Sequence, residues 1–249
     1  MFFDLDHEIP MDFFCIEYHN GPRGKAMKKT ALVSGANRGL GLALCRQLLD
    51  DGYDVFGLCR RTSKEMLELD IGIIDDVDIS DIEQIQTAMK RFPHKIDLLI
   101  NNAGIGLDDK WDDMDFGGLQ KQFMTNAFGP LCLSHACTPR IERGGKIIFI
   151  SSRMSSIADN VAGASYAYRM SKAALNMLGR NLSIDLKDRG IAVGVLSPGQ
   201  VDTDMLRALG ITTGREASAV AKDLLLLINR LDLKNTGSFW RFDGQVVAW

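Results

Sequence analysis

Short apolar runs alternate along this chain with longer stretches in which apolar residues recur every three or four positions. Residues 30–34, 54–58, 71–76, 96–100, 146–150, 192–196 and 238–242 predict strands. Between them, 40–51, 81–91, 116–139, 167–189 and 217–230 predict helices. The strand runs are rich in Val, Ile and Leu and apolar throughout rather than alternating, the pattern of strands buried on both faces. A βαβα series of this kind implies a parallel sheet covered by helices and joined by right-handed crossovers. No internal repeat, low-complexity stretch or Pro/Ser-rich linker divides it, so one α/β domain is expected.

Composition narrows the picture without redirecting it. With 249 residues, 46% of them hydrophobic and 24% charged, the chain excludes disorder, collagen and coiled coil and can bury a large core without staples. Twenty-nine basic against 32 acidic residues, in no block of either sign, argue against nucleic acid or a membrane as partner. The five cysteines form no C-x-x-C pair and are odd in number, so reduced thiols in a cytoplasmic protein are expected. The four histidines show no ligand spacing, and no metal site is expected.

No apolar run reaches the roughly 18 residues of a membrane span. Acidic residues interrupt Phe2, Phe3, Phe13 and Phe14, so no signal-peptide core forms. Residues 1–26, ending in a turn-like stretch before Met27-Lys28-Lys29-Thr30, read as an extension, disordered or non-native, with 27–249 as the domain. The alternative is an arm that packs on the domain or a partner.

Five local patterns carry chemistry. The first strand ends in Ser34-Gly35-Ala36-Asn37-Arg38-Gly39-Leu40-Gly41 and opens a helix; glycines there let backbone approach a pyrophosphate at the helix N-terminus. Asn101-Asn102-Ala103-Gly104 follows the fourth strand, where open α/β sheets bind ligands. Ser151-Ser152 follows the fifth and places hydroxyls at the same sheet edge. Tyr168-Arg169-Met170-Ser171-Lys172 puts a phenol and an ammonium on one helical face, and a nearby cation is what lets a phenol of pKa about 10 act at neutral pH. Ser197-Pro198-Gly199, leading to Val201 and Thr203, offers turned backbone and a hydroxyl that could hold a carboxamide. Each pattern alone also reads as an ordinary turn or a chance spacing.

Taken together and in this order, the five patterns resemble the classical short-chain dehydrogenase/reductase family, from Lys28 to Trp249. The stretch between Ser152 and Tyr168, the Tyr166-Ala167-Tyr168 triplet and the ending 237–249 are most similar to the C-factor-like carbonyl reductases. The resemblance implies a Rossmann-type, doubly wound parallel sheet of about seven strands with helices on both faces. It implies Tyr168 as proton donor or acceptor at the substrate oxygen, Lys172 lowering its pKa and binding the nicotinamide ribose, Ser152 orienting the carbonyl, and Asn126 completing a proton relay through water. Gly35, Asn37, Arg38, Gly39 and Leu40 would surround the pyrophosphate. Asn102, Ala103 and Gly104 would take the adenosine side, Asp78 with Ile79 the adenine, and Pro198, Gly199, Val201 and Thr203 the nicotinamide. A serine-to-tyrosine spacing of thirteen residues, the commoner one in the family, selects Ser155 instead; Ser152 is preferred because it directly follows the strand. Tyr166 is a lesser rival to Tyr168, having no lysine four residues on.

The second strand decides the cofactor. An NAD site places Asp or Glu at its end, to bind the ribose hydroxyls. Here Cys59 stands there, followed by Arg60, and Arg38 can reach the same place from the glycine loop, so NADP(H) is expected. The expected enzyme is an NADP(H)-dependent oxidoreductase of carbonyl reductase or alcohol dehydrogenase type. The competing reading is an NADP(H)-binding regulatory or signalling protein with little turnover. Only 204–215 separates Thr203 from the next helix, which predicts an open site for small carbonyl or alcohol substrates. Apolar residues on more than one face of 116–139 (Phe123, Phe128, Leu131, Leu133) and 167–189 (Ala174, Leu175, Leu178, Leu182), together with the family's habit, predict a homodimer or homotetramer.

Overall fold

A computed structural model describes residues 28–249, so the expected extension over 1–26 lies outside the described residues. Seven strands, β1 (Thr30–Ser34), β2 (Asp54–Leu58), β3 (Gly72–Ile74), β4 (Ile96–Asn101), β5 (Ile141–Ile150), β6 (Ala192–Ser197) and β7 (Ser238–Arg241), form one sheet in the order β3-β2-β1-β4-β5-β6-β7. Every neighbouring pair is parallel. The order turns back between β1 and β4, which opens a crevice at their C-terminal ends.

Because side chains alternate across a strand, the sheet builds two cores. Ala31, Val33, Ile100 and Ile148 pack with Leu44 and Leu48 of α1 (Gly39–Asp50) and Leu224 and Ile228 of α8 (Ala217–Arg230). Leu32, Leu99, Phe149 and Val195 pack with Ile85 and Met89 of α3 (Ile82–Arg91) and Leu175 of α6 (Tyr166–Asp185). These rows of Val, Ile and Leu are apolar on both faces because helices cover both.

The stretch 116–139 is not one helix. It divides into α4 (Phe116–Phe123), a π turn (Met124–Phe128), α5 (Gly129–Cys137) and a 3₁₀ turn (Thr138–Arg140). Pro130 explains the break: it has no N–H to give the carbonyl of Asn126 four residues back, and its ring crowds that carbonyl, so the turn widens there. Gly129 is obligatory for a different reason, since a Cβ on it would stand 2.1 Å from the Ile79 carbonyl oxygen.

Two short helices lie in segments read as loops, α2 (Lys64–Leu67), capped by Ser63, and α7 (Asp204–Ala208), capped by Thr203. Strand β5 starts at Ile141, earlier than expected, because Ile141 pairs with Ile96 across a register shift that absorbs Gly144 and Gly145. Beyond β7 the chain turns back on it: Arg241 N–H donates to Gln245, Val247 N–H donates to Phe239, both at 2.8 Å, and Trp240 bridges Val246. Among the described residues no helix is long and apolar enough to cross a membrane, and no group of three or more His, Cys, Asp or Glu is placed to hold a metal ion.

Candidate active site

Locally the cleft begins with glycine geometry. Gly35 has φ +67°, and a Cβ there would lie 2.9 Å from the Ala103 Cα, so the loop after β1 presses against the loop after β4. Polar bonds lock the contact: Ser34 Oγ accepts from the N–H groups of Asn102 and Ala103, both at 3.1 Å, and Asn102 Nδ2 donates to the carbonyls of Ser34 and Gly35. Arg38, the N-cap residue of α1, makes no side-chain cap. The first N–H groups of that helix are therefore available to an anion.

From this point a cleft of about 970 Å³ runs along the C-terminal ends of the strands. It is lined by every residue nominated for a cofactor: Gly35, Asn37, Arg38, Gly39 and Leu40; Arg60, Asp78 and Ile79; Asn102, Ala103 and Gly104; Tyr168 and Lys172; Pro198, Gly199, Val201 and Thr203. Fully buried Asn126 and half-buried Ser152 are not part of that lining.

Charge rims the β2 end. Arg60 Nη1 is 3.5 Å from Asp78 Oδ2, and Arg38 Nη1 is 2.7 Å from Asp204 Oδ2. Burial works against the Asp78 carboxylate, but the Ser80 N–H and hydroxyl together with Arg60 hold its pKa below the ordinary value. Asn37 does not face outward as a free donor; its Nδ2 holds the Arg61 carbonyl at 2.8 Å, and its own carbonyl accepts from Ser63 Oγ. Cys59, in the position where a carboxylate would bind ribose hydroxyls, is 3% exposed, and burial pushes its thiol up to about 11. Asp204 was not nominated. Its signal was Thr203-Asp204, an N-cap hydroxyl followed by an acid in the first turn of α7.

At the β5 end Lys172, Ser151, Ser155 and Asn126 are buried, and Tyr168 and Ser152 are half-buried. Tyr168 and Lys172 both project from α6, with the ammonium 5.9 Å from the phenol ring centre and donating to the Ile150 carbonyl at 2.9 Å. Burial lowers the Lys172 pKa to about 8 and raises that of Tyr168, which a hydrogen bond with Ser152 opposes. Ser152 also caps the 3₁₀ turn Arg153–Ser155, accepting from Met154 N–H at 3.1 Å. Ser155 faces elsewhere: it donates to the Ser152 carbonyl and accepts from Asn176 Nδ2 at 2.7 Å, in a buried network with Ser151 that sequence reading missed. Tyr166 packs its ring against Trp111, tilted by 50° with centroids 5.7 Å apart. Asn126 is fully buried in the π turn; its amide brackets the N–H and C=O of Ile105 at 2.9 Å each and donates to Ser171 Oγ at 3.0 Å. Its side chain is thus committed to holding the loop after β4 against α6.

A glycine loop on an uncapped helix, with a tyrosine-lysine pair at the far end of one cleft, is the arrangement expected of the resemblance drawn above, and the short chain dehydrogenase model matches residues 29–213. The chain belongs to the short-chain dehydrogenase family. It is 32% identical over 228 residues to 1-hydroxy-2-glutathionyl-2-methyl-3-butene dehydrogenase of Rhodococcus sp. (strain AD45), covering 88% of this chain and 99% of that one. It is 39% identical over 161 residues to the C-signal protein of Myxococcus xanthus, covering 62% of this chain and 93% of that one. The fold matches the NADPH-bound carbonyl reductase from chicken fatty liver with a TM-score of 0.79 at 31% identity, and the carbonyl reductase Sniffer of D. melanogaster with 0.80 at 28%; each match covers 90% of this chain and 100% of the other. That family is one of oxidoreductases that use a nicotinamide cofactor. The uncapped α1 and the flat, small-residue wall at Ala103 and Gly104 fit such a dinucleotide.

Proposed function

We propose that this short-chain dehydrogenase is an NADP(H)-dependent carbonyl reductase that interconverts small carbonyl compounds and secondary alcohols. The observation that carries the reading is the convergence of Tyr168, Ser152 and Lys172 at the end of the dinucleotide cleft. When bound, the nicotinamide supplies or takes the hydride. The Tyr168 hydroxyl gives a proton to the substrate oxygen or removes it, and Ser152, whose hydroxyl acts on that phenol, orients the oxygen. Lys172 brings positive charge beside the phenol, and a ribose hydroxyl is the partner its remaining N–H groups suit. Since the Asn126 amide is committed and Pro130 offers its carbonyl no N–H, a water on that carbonyl is where a proton relay through Asn126 runs. Thr203 Oγ1 accepts from Leu206 N–H, so its own O–H is left to donate to a carboxamide oxygen.

Arg38, Arg60 and the absence of a carboxylate at Cys59 support NADP(H) over NAD(H). The NADPH-bound chicken enzyme, similar over nearly the whole chain, supports the same choice. The test follows nicotinamide absorbance with a panel of aldehydes, ketones and quinones, with both cofactors and in both directions. Turnover of several carbonyls with NADPH is expected; tight NADPH binding with no turnover of any would overturn the reading in favour of a nucleotide-binding regulator.

The assembly we infer is a homodimer built on α5 and α6. Leu133, Leu175, Leu178 and Leu182 pack against the protein's own sheet. Phe128, Leu131, Met170, Met177 and Ile184 instead lie between 43% and 61% exposed. On α6 this outward row recurs every seven residues, a continuous stripe for a second copy to cover. A monomer by light scattering at micromolar protein would refute it.

A further inference from the structure

The helix that carries Tyr168 and Lys172 starts in an unusual way. Its N-cap residue, Ser165, has φ +49° and ψ +48°, and Ala164 before it has φ +53°, so two successive non-glycine residues adopt left-handed backbone. In that conformation Ser165 does not cap α6, although a serine at this place ordinarily would.

The cap comes from another part of the chain. Asp109, in the loop after β4, is 6% exposed; its Oδ1 accepts from Tyr166 N–H at 2.5 Å and its Oδ2 from Ala167 N–H at 2.9 Å, and its main-chain carbonyl accepts from Ser165 N–H. The loop that delivers it is itself pinned, at Ile105 by Asn126 and at Leu107 by Gln122. From the other side Arg169 holds the strained pair, donating from Nε to the carbonyls of Gly163 and Ala164 at 3.1 Å and from Nη1 to that of Met154 at 3.3 Å. Tyr168 therefore stands between the two N–H groups held by the Asp109 carboxylate, at 166 and 167, and the guanidinium clamp of Arg169 one residue after it.

We propose that Asp109 is a positioning residue for the reaction: by capping α6 from the loop after β4, whose first residues line the cleft, it fixes the Tyr168 hydroxyl relative to that lining. Strain at Ala164 and Ser165 persists only because both sides over-determine it, and releasing one side lets the first turn relax. A hydroxyl misplaced by a fraction of an ångström loses rate while the distant glycine loop still binds dinucleotide. This inference rests on the carbonyl reductase reading above.

The test measures kcat, and NADPH affinity by fluorescence quenching, for Asp109→Ala and Asp109→Asn. In Asp109→Ala, kcat should fall at least about tenfold while NADPH affinity stays within about twofold of wild type. Asp109→Asn, which keeps one acceptor oxygen, should recover part of the lost rate and stay severalfold below wild type; if Asp109→Ala does not fold, that severalfold drop at unchanged affinity carries the result. Near-wild-type kcat in the variant that folds overturns the proposal, as does parallel loss of kcat and NADPH affinity. Wild-type turnover that Tyr168→Phe abolishes tests the underlying reading separately. Should the wild type turn over no carbonyl, amide hydrogen exchange decides on Asp109 alone: faster exchange at 166–170 in Asp109→Ala with α8 unchanged supports it, and unchanged exchange at 166–170 overturns it.

Discussion

At the β2 end of the cleft Arg38 and Arg60 meet Asp204 and Asp78 in the open, with 64% and 58% of the two arginine side chains exposed, whereas at the β5 end Lys172 is 4% exposed and donates to a main-chain carbonyl. Exposed pairs of the first kind are screened by water and contribute about 0–1 kcal/mol each, so a ligand phosphate can exchange for their partners at little cost. A buried ammonium of the second kind is held at a standing cost and cannot re-pair. The β2 end is thus built to be retuned and the β5 end to be kept, which under the proposed function would separate cofactor choice from catalysis within one cleft.

The harshest way to break this contrast is at the phenol. Tyr168→Phe removes one ionisable hydroxyl and little volume, and kcat should fall by about 10²–10⁴ while NADPH affinity is nearly unchanged; retention of more than about a tenth of the rate would refute the assignment.

Next in size is a stability effect. The folded pKa of Lys172, about 8, lies below its unfolded value of 10.5, so the folded state binds fewer protons between those limits. The penalty is full below pH 8 and fades as pH rises toward 10.5; Tyr168, whose pKa is raised, acts in the opposite direction only above about pH 10. Lys172→Met should therefore unfold at higher urea than wild type at pH 7, by up to about 3 kcal/mol, while losing activity. The gap should narrow at pH 9.5. A variant less stable than wild type at pH 7 would show that the bond to Ile150 outweighs the burial.

At the β2 end the expected effects are smaller. NADPH should be preferred over NADH by at least about tenfold in kcat/KM, or about 1.4 kcal/mol, and Cys59→Asp with Arg60→Ile should reverse the preference with kcat little changed. Equal use of the two cofactors at one salt concentration would sink the phosphate argument. Smallest of all, Asp204→Asn frees Arg38 and removes a like charge from an incoming phosphate. We expect an NADPH KM about two- to threefold lower and stability within about 0.5 kcal/mol of wild type, both differences shrinking in high salt.

How much of this was legible in the sequence follows the same division. Continuous Val/Ile/Leu runs mark strands wherever helices cover both faces, and β1 and β2 fall on their expected residues. The residues lining the cleft were legible because glycine, proline and asparagine after a strand have few backbone options. What escaped depended on partners far along the chain. Nothing near 116–139 except Pro130 announces the π turn, and nothing near Ser165 reveals that its cap lies at Asp109. Ser155 is taken up by Asn176 while Ser152 acts on the Tyr168 phenol, a division that the strand end alone does not reveal. The pairing of Arg38 with Asp204 required the fold, because 166 positions separate them.

The folded-back segment after β7 bears on which contacts the molecule can make with its own kind. A parallel sheet ends in two rows of unpaired backbone groups, and such rows recruit further strands. Here one margin is the three-residue β3, too short to template much, and at the other the bonds from Val247 to Phe239 and from Arg241 to Gln245 already occupy the outward side of β7. With both margins blunted, strand addition has little to build on, and the helix faces are left as the surfaces through which the proposed dimer would close, in a fixed number of copies instead of a fibre.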